Sequence, residues 1–369
     1  MNIADLDLRT DEADTVERIH THSVNVPLEY PVRTSVGIVS TSPMVLIDLY
    51  TRSGVVGRAY VFTYTPAALH ATRQMVLGLG EWLRGQPLVP FDIDALMSRR
   101  LRLLGRTGIA QMACAGLDMA VWDALAVSRG LPLATLLGGT PRPLTAYDSH
   151  SMDGEATGVE RAARARGQGF SAIKTKIGYA TLAEDLAIVR ALRRAAGPDV
   201  ALLVDYNQGL TVPEAQRRIA ALRAEGIGWV EEPTLQEDWG GHARIREGAG
   251  VPIQLGENWF GLDDMAKALD AGACDLAMPD VMKIGGVSGW LRAAALAQVR
   301  GLPMSSHIFQ EFSAHLLAVT PTAHYLERMD LAGPILAEPL AFEGGKALPS
   351  SRPGVGLRWD EAAVARFAA

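Results

Sequence analysis

Three carboxylates close three successive apolar runs at one fixed interval. Asp205 ends Ala201-Leu-Leu-Val-Asp205, Glu231 ends Gly228-Trp-Val-Glu231, and Glu257 ends Pro252-Ile-Gln-Leu-Gly-Glu257. The intervals are 231 − 205 = 26 and 257 − 231 = 26 residues. A charge at the end of a buried strand is costly unless something pairs with it. Three at one repeat length point to a shared cation, and so constrain fold and chemistry together.

The repeat belongs to a longer alternation of strand and helix. Strand candidates are 144–149, 172–177, 201–205, 229–232, 253–257, 275–279, 303–307 and 325–329. Amphipathic helical segments such as 182–195 and 213–225 separate most of them. Eight parallel strands over roughly 200 residues predict a (β/α) barrel with an altered last helix, not an open doubly wound sheet. The N-terminal part reads differently. Residues from about 15 to 65 read as strands, with Thr51-Arg-Ser-Gly54 as a hairpin signal, and 66–139 read as helices. Strands followed by helices make an α+β unit. The expected division is residues 1–140, the barrel at 141–335, and a segment at 336–369 that returns towards the first domain.

Composition narrows the function. The 369 residues are 48% hydrophobic, enough for two cored domains. A net charge of −6 without a basic block argues against nucleic acid and anionic membrane surfaces as partners. Two cysteines, Cys114 and Cys274, make no disulfide framework and fit a reducing, cytoplasmic setting. The stretch Met1-Asn-Ile-Ala-Asp-Leu-Asp7 lacks a basic-then-apolar signal pattern. No run of about 18 apolar residues is found, so no transmembrane helix is expected.

Barrel chemistry gathers at the C-terminal strand ends. In order these are Ser149, Lys174 with Lys176, Asp205 with Asn207, Glu231, Glu257, Asp280, His307 and Glu327. Oxygen ligands from three strands suit Mg²⁺, with Mn²⁺ tolerated, better than Zn²⁺. Lys174 and Lys176, two apart on one strand, share a face. Mutual repulsion and burial make one of them a neutral base near pH 7. Asp280 and His307 end neighbouring strands, where a carboxylate fixes the imidazole tautomer and raises its pKa. Glu327 is expected to be a protonated acid. A cation and a lysine polarise a carboxylate, a flanking base takes the α-proton, and an acid stabilises the resulting enediolate.

These residues carry a resemblance to the enolase superfamily, mandelate racemase subgroup. It spans nearly the whole chain: Val24-Asn-Val-Pro-Leu28, Gly54-Val-Val-Gly57, Tyr147-Asp-Ser-His150, Lys174-Thr-Lys-Ile-Gly-Tyr179, Val204-Asp-Tyr-Asn-Gln208, Trp229-Val-Glu-Glu-Pro-Thr-Leu-Gln236, Gly256-Glu-Asn-Trp259, the run 278–286, Pro303-Met-Ser-Ser-His307 and Phe309-Gln-Glu311. The resemblance implies a (β/α)7β-type modified TIM barrel with an N-terminal α+β capping domain. It implies Mg²⁺ on Asp205, Glu231 and Glu257, with Lys176 acting on the (S)-enantiomer and His307, held by Asp280, on the (R)-enantiomer. Lys174 and Glu327 would contact the substrate carboxylate, Ser149 would donate to it, and Asn207 would meet the α-hydroxyl. Symmetric homo-octamers are common in such a family.

The implied activity is racemisation of mandelate or a close aryl 2-hydroxy acid. A specificity loop near residues 30–39 would supply an apolar wall from Val32, Val36 and Val39, with Phe62 and Tyr64 nearby. Arg33, Ser35, Ile308 and Met329 depart from the subgroup's pattern close to that ring pocket and leave the proton chemistry untouched. The alternative is a sugar-acid (aldonate or aldarate) dehydratase, which uses the same enediolate and then loses a β-hydroxyl. Such enzymes need polar side chains to hold several hydroxyls, and the loop offers few: Arg33, Thr34 and Ser35.

Overall fold

The computed structural model describes residues 14–369, so the stretch read for a targeting pattern lies outside the described residues. Three antiparallel strands open the chain: β1 (Val16–Arg33), β2 (Ile38–Thr51) and β3 (Val56–Phe62), in that sheet order. The turn Thr51–Gly54 joins β2 to β3, with Gly54 at φ +88°. Strand alternation gives the sheet two faces. Ile19, Ile47 and Val61 meet the helices Pro66–Leu83 and Gly108–Ser128. At Gly57 a Cβ would lie 2.2 Å from the Ala120 carbonyl oxygen, so only glycine lets β3 and the second helix approach this closely.

The helix Gly108–Ser128 lies inside the protein. By length and composition it could cross a membrane, yet 83% of its apolar window is buried inside the protein. Alanine, glycine and methionine make it smooth enough to lie between the sheet and the barrel. Its polar residues tie it to the barrel. Asp118 accepts from the Ser288 N–H at 2.9 Å and the Ser288 hydroxyl at 2.6 Å, and Trp122 Nε1 donates to Ser288 Oγ at 2.9 Å. Cys114 and Cys274 are separate buried thiols.

The barrel starts at β4 (Leu144–Ser149) and continues through β5 (Ala172–Lys176), β6 (Ala201–Asp205), β7 (Val230–Glu231), β8 (Ile253–Leu255) and β9 (Leu276–Ala277), all parallel. The seventh position, expected as a strand at 303–307, is held by single bridges, Ala277 to Met304 and Asp280 to His307 on one side and Met304 to Ala323 on the other. β10 (Leu326–Arg328) closes the ring on β4. A helix follows each of the first seven positions. After β10 there is instead a 3-10 turn and the hairpin β11 (Ala341–Glu343) and β12 (Lys346–Leu348), which pairs with β4. The fold is a (β/α)7β barrel with an α+β cap. The chain end returns to β1, where the Asn25 N–H donates to the Phe367 carbonyl and the Ala369 N–H to that of Ser23.

Candidate active site

Around the ring, Ser149 ends position one, Lys176 position two, Asp205, Glu231 and Glu257 positions three to five, Asp280 follows six, His307 ends seven and Glu327 lies on eight. Lys176 and His307 are three positions apart by the shorter route, about 135° around an eight-strand barrel. They therefore face one another across the mouth.

The three carboxylates each offer an oxygen, and these oxygens lie within 4.8 Å of one another, all on buried residues. Two ammonium groups sit against them. Lys174 Nζ is 2.8 Å from Glu231 Oε1 and 2.9 Å from Glu327 Oε1, and Lys176 Nζ is 2.6 Å from Asp205 Oδ2. Glu257 Oε2 is buried with no hydrogen-bond partner, 3.4 Å from His307 Nε2. An all-oxygen set with an unpaired buried carboxylate oxygen fits a hard divalent cation. Gln254, opposite Glu231 on the next strand, donates to Glu231 Oε2 at 3.1 Å and orients it.

The electrostatics correct two expectations. Burial, the largest single cause, and the Lys174 charge would strip the Lys176 proton, but the Asp205, Glu257 and Glu231 carboxylates together outweigh them, so the Lys176 pKa is raised, not lowered. Repulsion between the lysines is the smaller effect because each has a carboxylate of its own. Burial likewise favours a protonated Glu327, yet Lys174 and His307 hold its carboxyl below the usual range. His307 follows expectation. Burial opposes its charge, but Glu257 and the hydrogen bond to Asp280 raise its pKa. Its Nδ1 is 2.7 Å from Asp280 Oδ2.

A cavity with about 490 Å³ of unfilled space opens at this mouth. Lys176, Asn207, Glu257 and His307 form its reactive wall. Val32, Val39, Phe62, Tyr64, Ile308 and Met329 line the remainder, together with Thr34, one of the loop's few polar residues, and Leu331, which sequence reasoning missed. The expected loop at 30–39 is a hairpin, with Val32 paired to Val39 and a tight turn from Thr34 to Gly37. Three residues assigned to the pocket region lie off its wall. Val36 is at the turn's tip, 70% exposed, because the turn points it away. Ser35 Oγ instead donates to the Tyr206 carbonyl at 2.6 Å, anchoring the hairpin to the barrel. Arg33 ends β1 on the exposed side. Ser149 borders a neighbouring polar cavity, its buried hydroxyl unpartnered, and pairs in register with Lys174.

A second polar group went unread in the sequence. Lys283 Nζ is 2.6 Å from Asn258 Oδ1 and lies 4.5 Å above the Tyr64 ring, while Asn258 Nδ2 donates to Glu232 at 2.7 Å. The run 278–286 held the lysine, but only the fold shows that it lies under the cap.

The chain was compared with known proteins. The profile described as mandelate racemase / muconate lactonizing enzyme, N-terminal domain, matches residues 17–138, and the enolase C-terminal domain-like profile matches 158–363. The structure of an enolase from Bradyrhizobium complexed with magnesium and mandelic acid is 46% identical, with a TM-score of 0.93, over 97% of this chain and 99% of that one. L-talarate dehydratase from Polaromonas sp. JS666, complexed with Mg and L-glucarate, is 26% identical, with a TM-score of 0.87, over 97% and 98% of the two chains. D-galactarolactone cycloisomerase of Agrobacterium fabrum is 31% identical over 95% of this chain and 98% of the relative.

Proposed function

The chain belongs to the enolase superfamily, with the mandelate racemase / muconate lactonizing N-terminal domain and the enolase-like barrel, and we propose that it racemises a 2-hydroxy carboxylate with an apolar distal group, mandelate or a close aryl acid. One observation carries this reading: Lys176 and His307 both line a cavity whose remaining wall is mainly apolar. The mandelic acid held by the Bradyrhizobium relative supports it.

Asp205, Glu231 and Glu257 would hold Mg²⁺, which would supply charge to stabilise the substrate carboxylate as it gains electron density. The chain's own groups do the rest. Asp280 accepts the Nδ1 proton of His307 and leaves Nε2 facing the cavity. The Lys176 amine reaches the α-carbon from the other flank. One base removes the proton and the other returns one on the opposite face, which inverts the centre. Asp205 holds the proton on Lys176. With that carboxylate engaged elsewhere, burial and Lys174 favour the neutral amine. Lys174, turned to the substrate carboxylate, leaves Glu327 without its counter-ion, and burial then favours the acid that can donate to the enediolate.

The curated relatives support a second reading, loss of water from a sugar acid, more than they support racemisation. Among them are a sugar-lactone cycloisomerase and, at 30% identity over 74% of this chain, an L-talarate/galactarate dehydratase of Salmonella typhimurium. The enediolate is shared, but a β-hydroxyl then leaves. Besides Lys176, Glu257 and His307, the side chains lining the cavity offer polar atoms for further hydroxyls from Thr34, Asn207 and Tyr64.

One experiment tests both readings: enzyme with MgCl2 in D2O, given each enantiomer of mandelate and a panel of aldonates and aldarates. Deuterium at the α-carbon of both mandelate enantiomers, with decay of optical activity, is the expected result. A 2-keto acid formed from a sugar acid, with mandelate left intact, would establish the second reading.

A further inference from the structure

We propose that Tyr60, on the capping sheet, is a positioning residue for His307, acting through Phe309 and Glu311. The proposal rests on the reading of His307 as the base for one enantiomer. Tyr60 and Phe62 are two apart on β3 and share the face turned to the barrel mouth. Phe62 lines the cavity. Tyr60 reaches past it and is 2% exposed.

The Tyr60 hydroxyl donates to Glu311 Oε2 at 2.7 Å, and both groups are buried. Its ring stacks on Phe309, with centroids 4.9 Å apart and planes 24° apart. Phe309 caps the helix Gln310–Ala318 that carries Glu311. One cap residue thus grips both the start of this helix and its first turn.

That grip falls on a strained segment. Ile308 and Phe309, directly after His307, have φ of +36° and +45°. A β-branched residue and an aromatic rarely adopt this left-handed backbone, which persists only where surroundings impose it. Three contacts impose it here. The Ile308 N–H donates to Glu327 Oε2 at 2.9 Å, the Ser313 hydroxyl donates to the Ile308 carbonyl at 2.9 Å, and Tyr60 clamps Phe309 with Glu311. The first two come from the barrel, so Tyr60 supplies the cap's share. The backbone turn sets where the imidazole points, because no regular strand supports position seven. Lys176 differs. It sits in the full strand β5, paired with β6 through five residues, and owes nothing to this turn. The cap thereby governs one flank of the substrate more than the other.

The test uses the magnesium-loaded enzyme with Tyr60→Phe and Glu311→Gln. Two readouts are taken: α-deuteration of each mandelate enantiomer in D2O, and amide exchange of peptides covering 306–313. Tyr60→Phe is expected to slow His307-side deuteration about 10- to 100-fold, the scale of a small misplacement of a reacting group. Lys176-side deuteration should change little, and amides 308–313 should exchange faster. Glu311→Gln keeps an oxygen acceptor for Tyr60 and should stay close to wild type on both readouts. Equal losses for both enantiomers alongside a lower melting temperature would show a plain domain tie and overturn the proposal. Unchanged amide protection in Tyr60→Phe would overturn it too. If the wild-type enzyme deuterates neither enantiomer, the base assignment fails by itself, and faster amide exchange in Tyr60→Phe still supports the positioning.

Discussion

Lys176 Nζ and Asp205 Oδ2 lie 2.6 Å apart, both on buried residues, so a carboxylate of the cation site also holds the proton on the amine facing the substrate cavity. Metal and base are coupled through one carboxylate. Magnesium should therefore act on stability as well as on rate. At a magnesium concentration 100-fold above Kd, mass action adds about 2.7 kcal/mol to the folded state. Melting curves with EDTA and with excess MgCl2 should show that rise in wild type and lose most of it in Asp205→Asn. Identical melting temperatures with and without magnesium in the wild type would sink the cation site.

The Asp280–His307 pair predicts asymmetry. Asp280 also caps the turn 281–284, accepting from the Met282 N–H at 2.7 Å, so its Oδ1 is committed and Oδ2 is aimed at the imidazole. Asp280→Asn keeps the cap acceptor but presents an amide that favours the wrong tautomer. Deuteration through His307 should fall about 10²- to 10⁴-fold, the usual share of a general base. Deuteration through Lys176 should fall far less, and Lys176→Ala should give the mirror pattern. NMR of each enantiomer in D2O reads both, and equal losses in both variants would remove the two-base mechanism.

Much of this site was legible because barrels place strand ends in chain order around one mouth. Asp205, Glu231 and Glu257 could be found from a 26-residue interval, and Lys174 with Lys176 from strand alternation. Protonation states were not legible. They depend on which oxygen stands nearest each nitrogen, and a sequence gives no distance between Lys176 and Asp205. Neither was the place of Val36, since a hairpin's register decides which valine meets the cavity. The seventh strand failed for a related reason. Pro303-Met-Ser-Ser-His307 has the composition of a strand end, but its ladder is reduced to single bridges. Tyr60 and Glu311 are 251 residues apart, and nothing local marks them as partners.

Asp118 predicts a pH dependence of stability. Burial against the helix Gly286–Arg300 pushes its carboxyl up from 3.8 to about 7, despite two hydrogen bonds from Ser288. The folded state then binds this proton more tightly than the unfolded one. The group's stabilising contribution is whole below about pH 4 and is lost as pH rises through about 7. The gap from 3.8 to about 7 corresponds to roughly 4 kcal/mol across that window. Asp118→Asn should cost about 1 kcal/mol of hydrogen bonding at every pH, yet flatten the decline between about pH 4 and 7. Urea denaturation of both proteins across that range measures it, and parallel curves would contradict the buried-acid account.

Val32 and Val39 pair across the hairpin and together wall the cavity, whereas Val36, four residues from Val32, points to solvent. The two valines should therefore respond differently to one substitution. Val32→Ser removes apolar contact with a distal ring and leaves a hydroxyl facing it. Loss of about one methylene's worth of contact costs 10- to 200-fold in discrimination, so kcat/KM for an aryl 2-hydroxy acid should drop by about tenfold or more. Most of that drop should lie in KM, because Lys176 and His307 are untouched. Val36→Ser should leave both constants near wild type. The same pair separates the two functional readings. A substrate carrying hydroxyls would tolerate or gain from a serine at position 32, so an unchanged or improved kcat/KM on an aldarate, beside an unaffected rate on mandelate, would reverse the order in which those readings stand.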